Sequence, residues 1–174
     1  MTNKGARIVF MGTPAFAAVS LDALIKAGHD IVAAITQPDK PAGRGQISQS
    51  CPVKELAASH GIPVLQPAKV RDEGFIKELA ALKPEFIAVV AYGKILPKAI
   101  LSIPPKGCIN LHASILPKYR GAAPINWAII NGENETGACT MLLDEGMDTG
   151  PVYFFFFSLI DPNETAEDLA RRLS

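Results

Sequence analysis

A repeated unit, in which a short apolar run precedes an amphipathic segment, organises the first half of the chain. Runs that are apolar on both faces are typical of strands covered on both sides, and the segments between them have helical periodicity. This alternation predicts a doubly wound α/β fold with a mostly parallel, Rossmann-like sheet. The predicted strands are Arg7–Met11, Ile31–Thr36, Ile62–Leu65 and Phe86–Ala91, and the predicted helices are a segment that Thr13 caps and that ends near Gly28, Pro52–Ser59, and Val70–Leu82.

The second half fits the same pattern, with strands predicted at Cys108–Leu111, Gly137–Leu143 and Pro151–Ile160 and a last helix that Thr165 caps. Two Gly- and Pro-rich stretches, residues 37–50 and 114–124, are too long to be simple connections, and such loops in compact domains are usually functional or disordered. In parallel sheets, ligands bind beyond the carboxyl ends of the strands. We therefore expect functional residues at that edge.

Composition excludes several classes of protein. The 174 residues include 17 basic and 17 acidic side chains, which argues against a surface that binds nucleic acid along its whole length. No stretch approaches the roughly 20 apolar residues of a membrane span, and the amino terminus lacks the cleavage site of a signal peptide. Three widely spaced cysteines without a C-x-x-C pair are typical of reduced thiols. We expect one globular, monomeric, cytoplasmic unit that does not bind a membrane.

A polar pair at the end of a predicted strand is the first candidate site. Asn110 and His112 are two residues apart, so their side chains project from the same face of the strand. An amide and an imidazole can hydrogen-bond the oxygen that becomes negative when an amine adds to a carbonyl. The alternative is that Asn110 caps a turn and that His112 is a buried histidine with satisfied hydrogen bonds.

An acidic, glycine-hinged loop, Asp144–Gly150, follows another predicted strand directly. A carboxylate in this loop can orient the imidazole or accept a proton through a water. The alternative is a solvated β-hairpin whose Asp and Gly residues only form turns. Both interpretations remain open from these residues alone.

Other motifs in the sequence are not expected to form catalytic or cofactor-binding sites. Gly12-Thr13-Pro14 lacks the G-x-G-x-x-G spacing, so dinucleotide binding is not expected. Cys108 and Cys139 lie in predicted strands and have no histidine at a recognisable spacing, which favours core packing over a nucleophilic or metal role. The run Tyr153–Phe157 is interpreted as a buried strand.

Together, Asn110–Trp127 and the loop Asp144–Gly150 resemble the signature of the folate-dependent formyltransferases. The resemblance implies an enzyme that transfers a formyl group from 10-formyltetrahydrofolate to an amine and that needs no metal. It places the catalytic trio of the family on Asn110, His112 and Asp148. It places the tetrahydrofolate-binding tetrapeptide on Ser114, Ile115, Leu116 and Pro117, with Ile115 where leucine is commoner.

Three further segments, Gln37–Gly45, Cys51–Lys54 and Val89–Pro97, resemble those members of the family that use initiator methionyl-tRNA as the amine in translation initiation. This resemblance implies that Arg44 contacts the tRNA. It also implies that residues 1–174 form the catalytic domain and that the carboxy-terminal β-barrel domain of the family is absent from this chain. The alternatives are another folate-dependent formyltransferase, a formyltetrahydrofolate hydrolase domain, or a folate-binding module without turnover.

Overall fold

The structure is a computed structural model that describes residues 5–42 and 47–174. The chain forms two compact units, Met1–Cys108 and Ile109–Ser174. None of the helices in the described residues has both the length and the apolar character needed to span a bilayer.

The first unit contains a sheet whose four main strands are all parallel to their neighbours, in the order β5-β2-β1-β6. The chain moves outward from β1 through β2 and β5 and then returns to β6 on the other side of β1. This reversal marks a doubly wound sheet, so the predicted fold class is confirmed. Its elements are β1 (Arg7–Gly12), α1 (Ala15–Lys26), β2 (Asp30–Ile35), β3 (Lys40–Ala42), β4 (Ile47–Gln49), α2 (Pro52–Ser59), β5 (Val64–Leu65), α3 (Glu73–Ala81), β6 (Phe86–Val90) and α4 (Lys98–Leu101).

Strand β1 lies in the core of this unit and leads into α1 through a tight turn. A Cβ at Gly12 would lie 2.7 Å from both the Ala17 Cβ and the Val90 carbonyl oxygen, so only glycine fits where α1 and β6 approach the strand. The predicted Thr13 cap is wrong. Helix α1 begins after Pro14 without a side-chain cap, and the Thr13 hydroxyl instead accepts a hydrogen bond of 3.2 Å from the Gln37 backbone N–H.

Within the loop predicted at residues 37–50, β3 and β4 pair as a short antiparallel hairpin, and residues 43–46, between them in sequence, lie outside the described part of the chain. A polar cluster holds the base of the hairpin. The Lys54 ammonium donates to an Asp39 carboxylate oxygen and, over 3.0 Å, to the Gln66 carboxamide oxygen. The Gln66 amide donates to the other Asp39 oxygen over 2.8 Å and to the Gln37 carbonyl over 2.9 Å.

The second unit contains three strands and two helices, and β8 pairs antiparallel with both β7 and β9. Here the chain departs from the pattern of the first half, because the loop Asp144–Gly150 joins β8 to β9 as a hairpin without a crossover helix. The predicted last helix is confirmed, and Thr165 and Asp168 form a reciprocal capping box at its start. The elements are β7 (Cys108–His112), α5 (Pro124–Ile130), β8 (Glu135–Leu142), β9 (Val152–Leu159) and α6 (Ala166–Leu173).

Tyr153–Phe157 lies in strand β9, as predicted, but the aromatic run is exposed, so its predicted burial is wrong. The relative exposure is 66% for Phe154, 60% for Tyr153 and 54% for Phe156. The composition of a strand shows how apolar the strand is. It does not show whether another element packs against the strand, so burial could not be predicted from it.

Candidate active site

Strand β7 places Asn110 and His112 on one buried face, as their spacing predicts. Burial alternates along the strand, and Asn110 and His112 are 9% and 6% exposed. The adjacent strand β8 sets their register, with Asn110 opposite Met141 and His112 opposite Cys139. Because the strand ends at His112, both side chains lie near its carboxyl end.

The imidazole of His112 lies between two hydrogen-bond acceptors. Its Nε2 is 2.9 Å from the Tyr119 carbonyl oxygen, and since a carbonyl only accepts, this nitrogen bears a proton. Its Nδ1 is 3.6 Å from the Asp148 Oδ2, a distance that suits an ion pair better than a direct hydrogen bond. A doubly protonated ring therefore has an acceptor near each nitrogen.

Asp148 is held in this position by its backbone and by one strong hydrogen bond. It has a φ of +50°, in the left-handed region, which costs on the order of 1 kcal/mol for a residue with a side chain. Its Oδ2 accepts a hydrogen bond of 2.7 Å from the Gly121 backbone N–H. Gly121 itself has a φ of +86°, a conformation that glycine adopts freely.

The rest of the acidic loop forms a turn. The Asp144 Oδ1 accepts from the Gly146 backbone N–H over 2.9 Å and from the Thr149 hydroxyl over 2.8 Å. The interpretation as a turn and the interpretation as a carboxylate that faces the imidazole therefore each apply to part of the loop. Asp144 forms the turn of a hairpin, whereas Asp148 faces the imidazole.

Asn110 is the residue whose polar group is left available. Although the residue is nearly buried, its carboxamide makes no hydrogen bond to any group in residues 5–42 and 47–174. The turn-capping alternative for Asn110 is therefore not supported by the structure. An amide N–H in this state can donate to a bound ligand without breaking an existing bond.

The predicted folate-binding tetrapeptide is fixed by two of its own side chains. The Ser114 hydroxyl is fully buried and donates to the Lys118 carbonyl over 2.6 Å. Leu116 packs into the core of the unit against Cys139, Met141 and Val152. Ile115 is half-buried and Pro117 is exposed, so the backbone and these two side chains remain for contact with a ligand.

Cys108 and Cys139 are buried in strands β7 and β8, as predicted. Burial raises the pKa of the Cys108 thiol to about 12 and also raises the pKa of Cys139, so both thiols are protonated at neutral pH. Cys51 is half-buried and also free. Within the described residues, no three His, Cys, Asp or Glu side chains are grouped so that they could hold a metal ion.

The structure thus brings together the predicted trio Asn110, His112 and Asp148, whereas Arg44 lies outside the described residues. Two partners of the trio were not predicted, the Tyr119 carbonyl and the Gly121 backbone N–H. Every residue has such backbone groups, so no sequence pattern distinguishes these two. Only the observation that residues 114–124 form an unusually long loop pointed to this region.

A fold of this kind with an amide, an imidazole and a carboxylate at the end of a strand defines a family: the chain belongs to the formyl transferases, whose family pattern matches residues 6–174. The family resemblance is confirmed. Methionyl-tRNA formyltransferase from Trichlorobacter lovleyi is 56% identical over 170 residues, which are 98% of this chain and 54% of that protein. The chain spans about half the length of the curated relatives it matches.

Solved structures confirm the fold over nearly the whole chain. Glycinamide ribonucleotide transformylase 1 from Geobacillus kaustophilus is 26% identical with a TM-score of 0.76, over 97% of this chain and 90% of that one. The N-formyltransferase from Helicobacter canadensis in complex with folinic acid and dTDP-3-aminofucose is 25% identical with a TM-score of 0.71, over 97% and 58% of the two chains.

Proposed function

We propose that this chain is the formyl-transferring part of a methionyl-tRNA formyltransferase. It moves the formyl group of 10-formyltetrahydrofolate to the amino group of initiator methionyl-tRNA, which gives the formylated tRNA for translation initiation. The observation that carries the chemistry is the carboxamide of the buried Asn110, which has no hydrogen-bond partner in the described part of the chain and lies on the same strand face as His112, the partner of Asp148. The identity of 56% to a methionyl-tRNA formyltransferase, over 98% of the chain, supports this acceptor over other amines.

The folate lies against the segment Ser114–Pro117. This segment is anchored at two points, because the Ser114 hydroxyl donates to the Lys118 carbonyl and Leu116 packs in the core. It follows β7 directly, so a formyl donor bound there has its reactive carbon near Asn110. The likeness to a family member whose structure contains folinic acid supports a folate as the donor.

Asn110 stabilises charge that appears during the reaction. The amine adds to the formyl carbon, and the carbonyl electron pair moves to the oxygen to give a tetrahedral oxyanion. The Asn110 amide donates a hydrogen bond to this oxygen, which strengthens as the charge develops. The bond from the formyl carbon to the folate nitrogen then breaks, and this nitrogen receives a proton while the amine loses one.

His112 and Asp148 support the same step. In its protonated form His112 places a positive charge beside the oxyanion, and the Asp148 carboxylate holds the ring with its Nδ1 toward itself. An α-amino group has a pKa of about 7.7 to 8.0, so a useful neutral fraction exists near neutral pH and no strong base is needed. A water near Asp148 carries the proton of the amine away.

The tRNA is bound through Arg44 and the hairpin of β3 and β4. Hydrogen bonds among Asp39, Lys54 and Gln66 hold the base of this hairpin in place. A guanidinium pairs well with phosphate oxygens. The protein works as a monomer in the cytoplasm, where its tRNA substrate and reduced folates occur.

The test is an acceptor assay with 10-formyltetrahydrofolate, in which release of tetrahydrofolate and formylation are followed together. Methionyl-tRNA at high concentration should give formylated tRNA and tetrahydrofolate in equal amounts. Glycinamide ribonucleotide should give neither. Tetrahydrofolate release without an acceptor would identify a hydrolase, and folate binding without any turnover would identify a binding module. Either result would contradict the proposal.

A further inference from the structure

Tyr119 makes hydrogen bonds at both ends of the residue, through its carbonyl and through its hydroxyl. Its carbonyl oxygen accepts the Nε2 proton of His112 over 2.9 Å. Its hydroxyl donates to the Glu133 Oε1 over 2.7 Å. Tyr119 also has a φ of +55°, in the left-handed region that disfavours residues with side chains, so its side-chain contacts must help to hold it there.

Glu133 is itself well fixed. Its backbone N–H donates to the Ala128 carbonyl at the end of α5 over 3.0 Å. Its two carboxylate oxygens accept from the Lys118 ammonium over 3.0 and 3.1 Å. The hydrogen bonds from Tyr119 and from Lys118 hold the pKa of the Glu133 carboxyl below its usual range, so it is an anion at neutral pH.

A surface ion pair is the simplest alternative role for Glu133. The Lys118 side chain is 63% exposed, and pairs of this kind contribute little to stability. The bond to Tyr119 has a different consequence, because Tyr119 is the residue whose carbonyl touches His112. Asn131 adds to it by donating to the Tyr119 hydroxyl over 3.0 Å.

We propose that Glu133 is a positioning residue for His112. By anchoring the Tyr119 side chain, it fixes the carbonyl that receives the Nε2 proton, and it thereby sets the tautomer and the ring orientation in which Nδ1 faces Asp148. The expected effect of Glu133 on turnover rests on the proposed function. Its expected effect on the His112 ring does not, so the positioning role and the proposed function can be tested separately.

The first test uses nitrogen NMR of the histidine rings, which needs no substrate and has only three histidines to assign. In the unaltered chain, neutral His112 should have its proton on Nε2. Tyr119→Phe and Glu133→Ala should each lower the Nε2–H population, because the carbonyl is no longer held. Glu133→Gln should restore it, since the amide oxygen still accepts from the Tyr119 hydroxyl.

Glu135→Ala is the matched control, because Glu135 is exposed, lies two residues away and has no hydrogen bond to Tyr119. Lys118→Met removes the ion pair but keeps the bond from Tyr119 to Glu133, so it should change the His112 signals less than Tyr119→Phe does. Backbone spectra establish that each variant is folded. Unchanged His112 signals in folded Tyr119→Phe, the mildest variant, would overturn the proposal.

The second test is kinetic. Tyr119→Phe should lower kcat about three- to tenfold, the range expected from one hydrogen bond, while KM for the folate donor stays the same. A rise in KM at constant kcat would overturn the positioning role. If the unaltered protein does not formylate methionyl-tRNA, the proposed function fails, and the NMR result still decides the role of Glu133.

Discussion

Asn110 and His112 are neighbours on one strand face with opposite hydrogen-bonding states. The imidazole has an acceptor near each nitrogen, whereas the Asn110 carboxamide has no partner among the described residues. A ring that is already bonded is oriented before any substrate arrives, and an amide that is free gains its full hydrogen bond only with the ligand. This combination suits a site that stabilises charge in the transition state, because neither group must reorganise during the reaction.

Asn110→Ala should abolish most of the formyl transfer while folate binding survives. The amide acts on charge that is absent from the bound donor, and loss of one such group typically lowers kcat roughly 10²- to 10³-fold. The measurement is kcat together with the Kd of a folate analogue. Asn134→Ala, at an exposed position, serves as the control. Near-normal turnover in Asn110→Ala would rule out the oxyanion role.

His112 and Asp148 should behave as one unit in turnover. The His112 Nδ1 and the Asp148 Oδ2 are 3.6 Å apart and both side chains are largely buried, so removal of either leaves the other without its function. We expect the double variant His112→Ala, Asp148→Ala to be little worse than the single variants. Independent action would appear as a double defect equal to the product of the two single defects.

Asn110 and His112 could be found from the sequence because their side chains are chemically distinctive and their spacing fixes a common face, whereas the family resemblance selected Asp148 from its acidic loop. The residues that orient them could not be found in this way. Tyr119 acts on His112 through a carbonyl and Gly121 acts on Asp148 through an N–H, groups that every loop contains. The left-handed backbone conformation of Asp148 could not be predicted from the sequence either, because it depends on the geometry of the hairpin that joins β8 and β9.

At the scale of elements, β9 is the least protected part of the second unit. It is an eight-residue strand without a charged side chain, and its five consecutive aromatic rings are exposed. Edge strands of this kind normally contain lysine or proline, which prevent pairing with other chains. If the monomer associates at high protein concentration, this strand is therefore the expected site of contact.

Phe154→Lys should reduce concentration-dependent association of the chain without changing its fold. Phe154 is 66% exposed, so the substitution removes little burial and should change stability by about 0.5 kcal/mol or less. Light scattering over a range of protein concentrations measures the effect. Val19→Lys, at an exposed apolar position on α1, is the control. Equal association of both variants would show that β9 is not responsible.

The hairpin base should respond to pH through Asp39. Hydrogen bonds from Lys54 and then from Gln66 hold the pKa of the Asp39 carboxyl below its ordinary value in the folded state. A lowered folded-state pKa stabilises the fold above the unfolded value of about 3.9, and this contribution is lost as the pH falls through the folded pKa. The charged carboxylate therefore favours folding at neutral pH.

Lys54→Met should accordingly destabilise the protein at pH 7, and its difference from the unaltered protein should begin to shrink below about pH 4 and be lost as the pH falls through the lowered pKa of folded Asp39. Denaturation at several pH values measures this trend. Lys69→Met, which changes an exposed lysine, should show no such pH dependence. A difference that stays constant until the protein unfolds in acid would show that Lys54 acts through packing and not through the Asp39 charge.

The elements predicted best are those in which the hydrophobic periodicity and the residues that begin or end a helix indicate the same bounds. The bounds of α2, Pro52–Ser59, match the prediction, and so does the capping of α6 by Thr165. The hairpin of β3 and β4 was not predicted, because three-residue strands are too short to show a period. The antiparallel direction of β9 was also not predicted, since direction depends on the connection and not on the strand's own residues.

At the scale of the whole molecule, charge is balanced, with 17 basic and 17 acidic side chains. Long-range attraction to a polyanion is therefore weak, and the proposed binding of tRNA would depend on a few local contacts. Each contact between a basic side chain and a phosphate should then contribute measurably to the salt dependence of tRNA affinity. Arg44, the residue that the family resemblance assigns to the tRNA, is the place to test this.

Arg44→Ala should weaken the response to methionyl-tRNA and leave folate affinity unchanged. Loss of one phosphate contact releases about one counterion fewer, so the plot of log affinity against log salt concentration should become shallower by roughly 0.7 to 1. Initial rates over a range of tRNA concentrations, at several salt concentrations, measure the slope. Arg71→Ala, at an exposed turn next to α3, is the matched control. A defect confined to folate binding, or a slope identical to that of the control, would remove Arg44 from the tRNA site and leave the acceptor to be held by other residues.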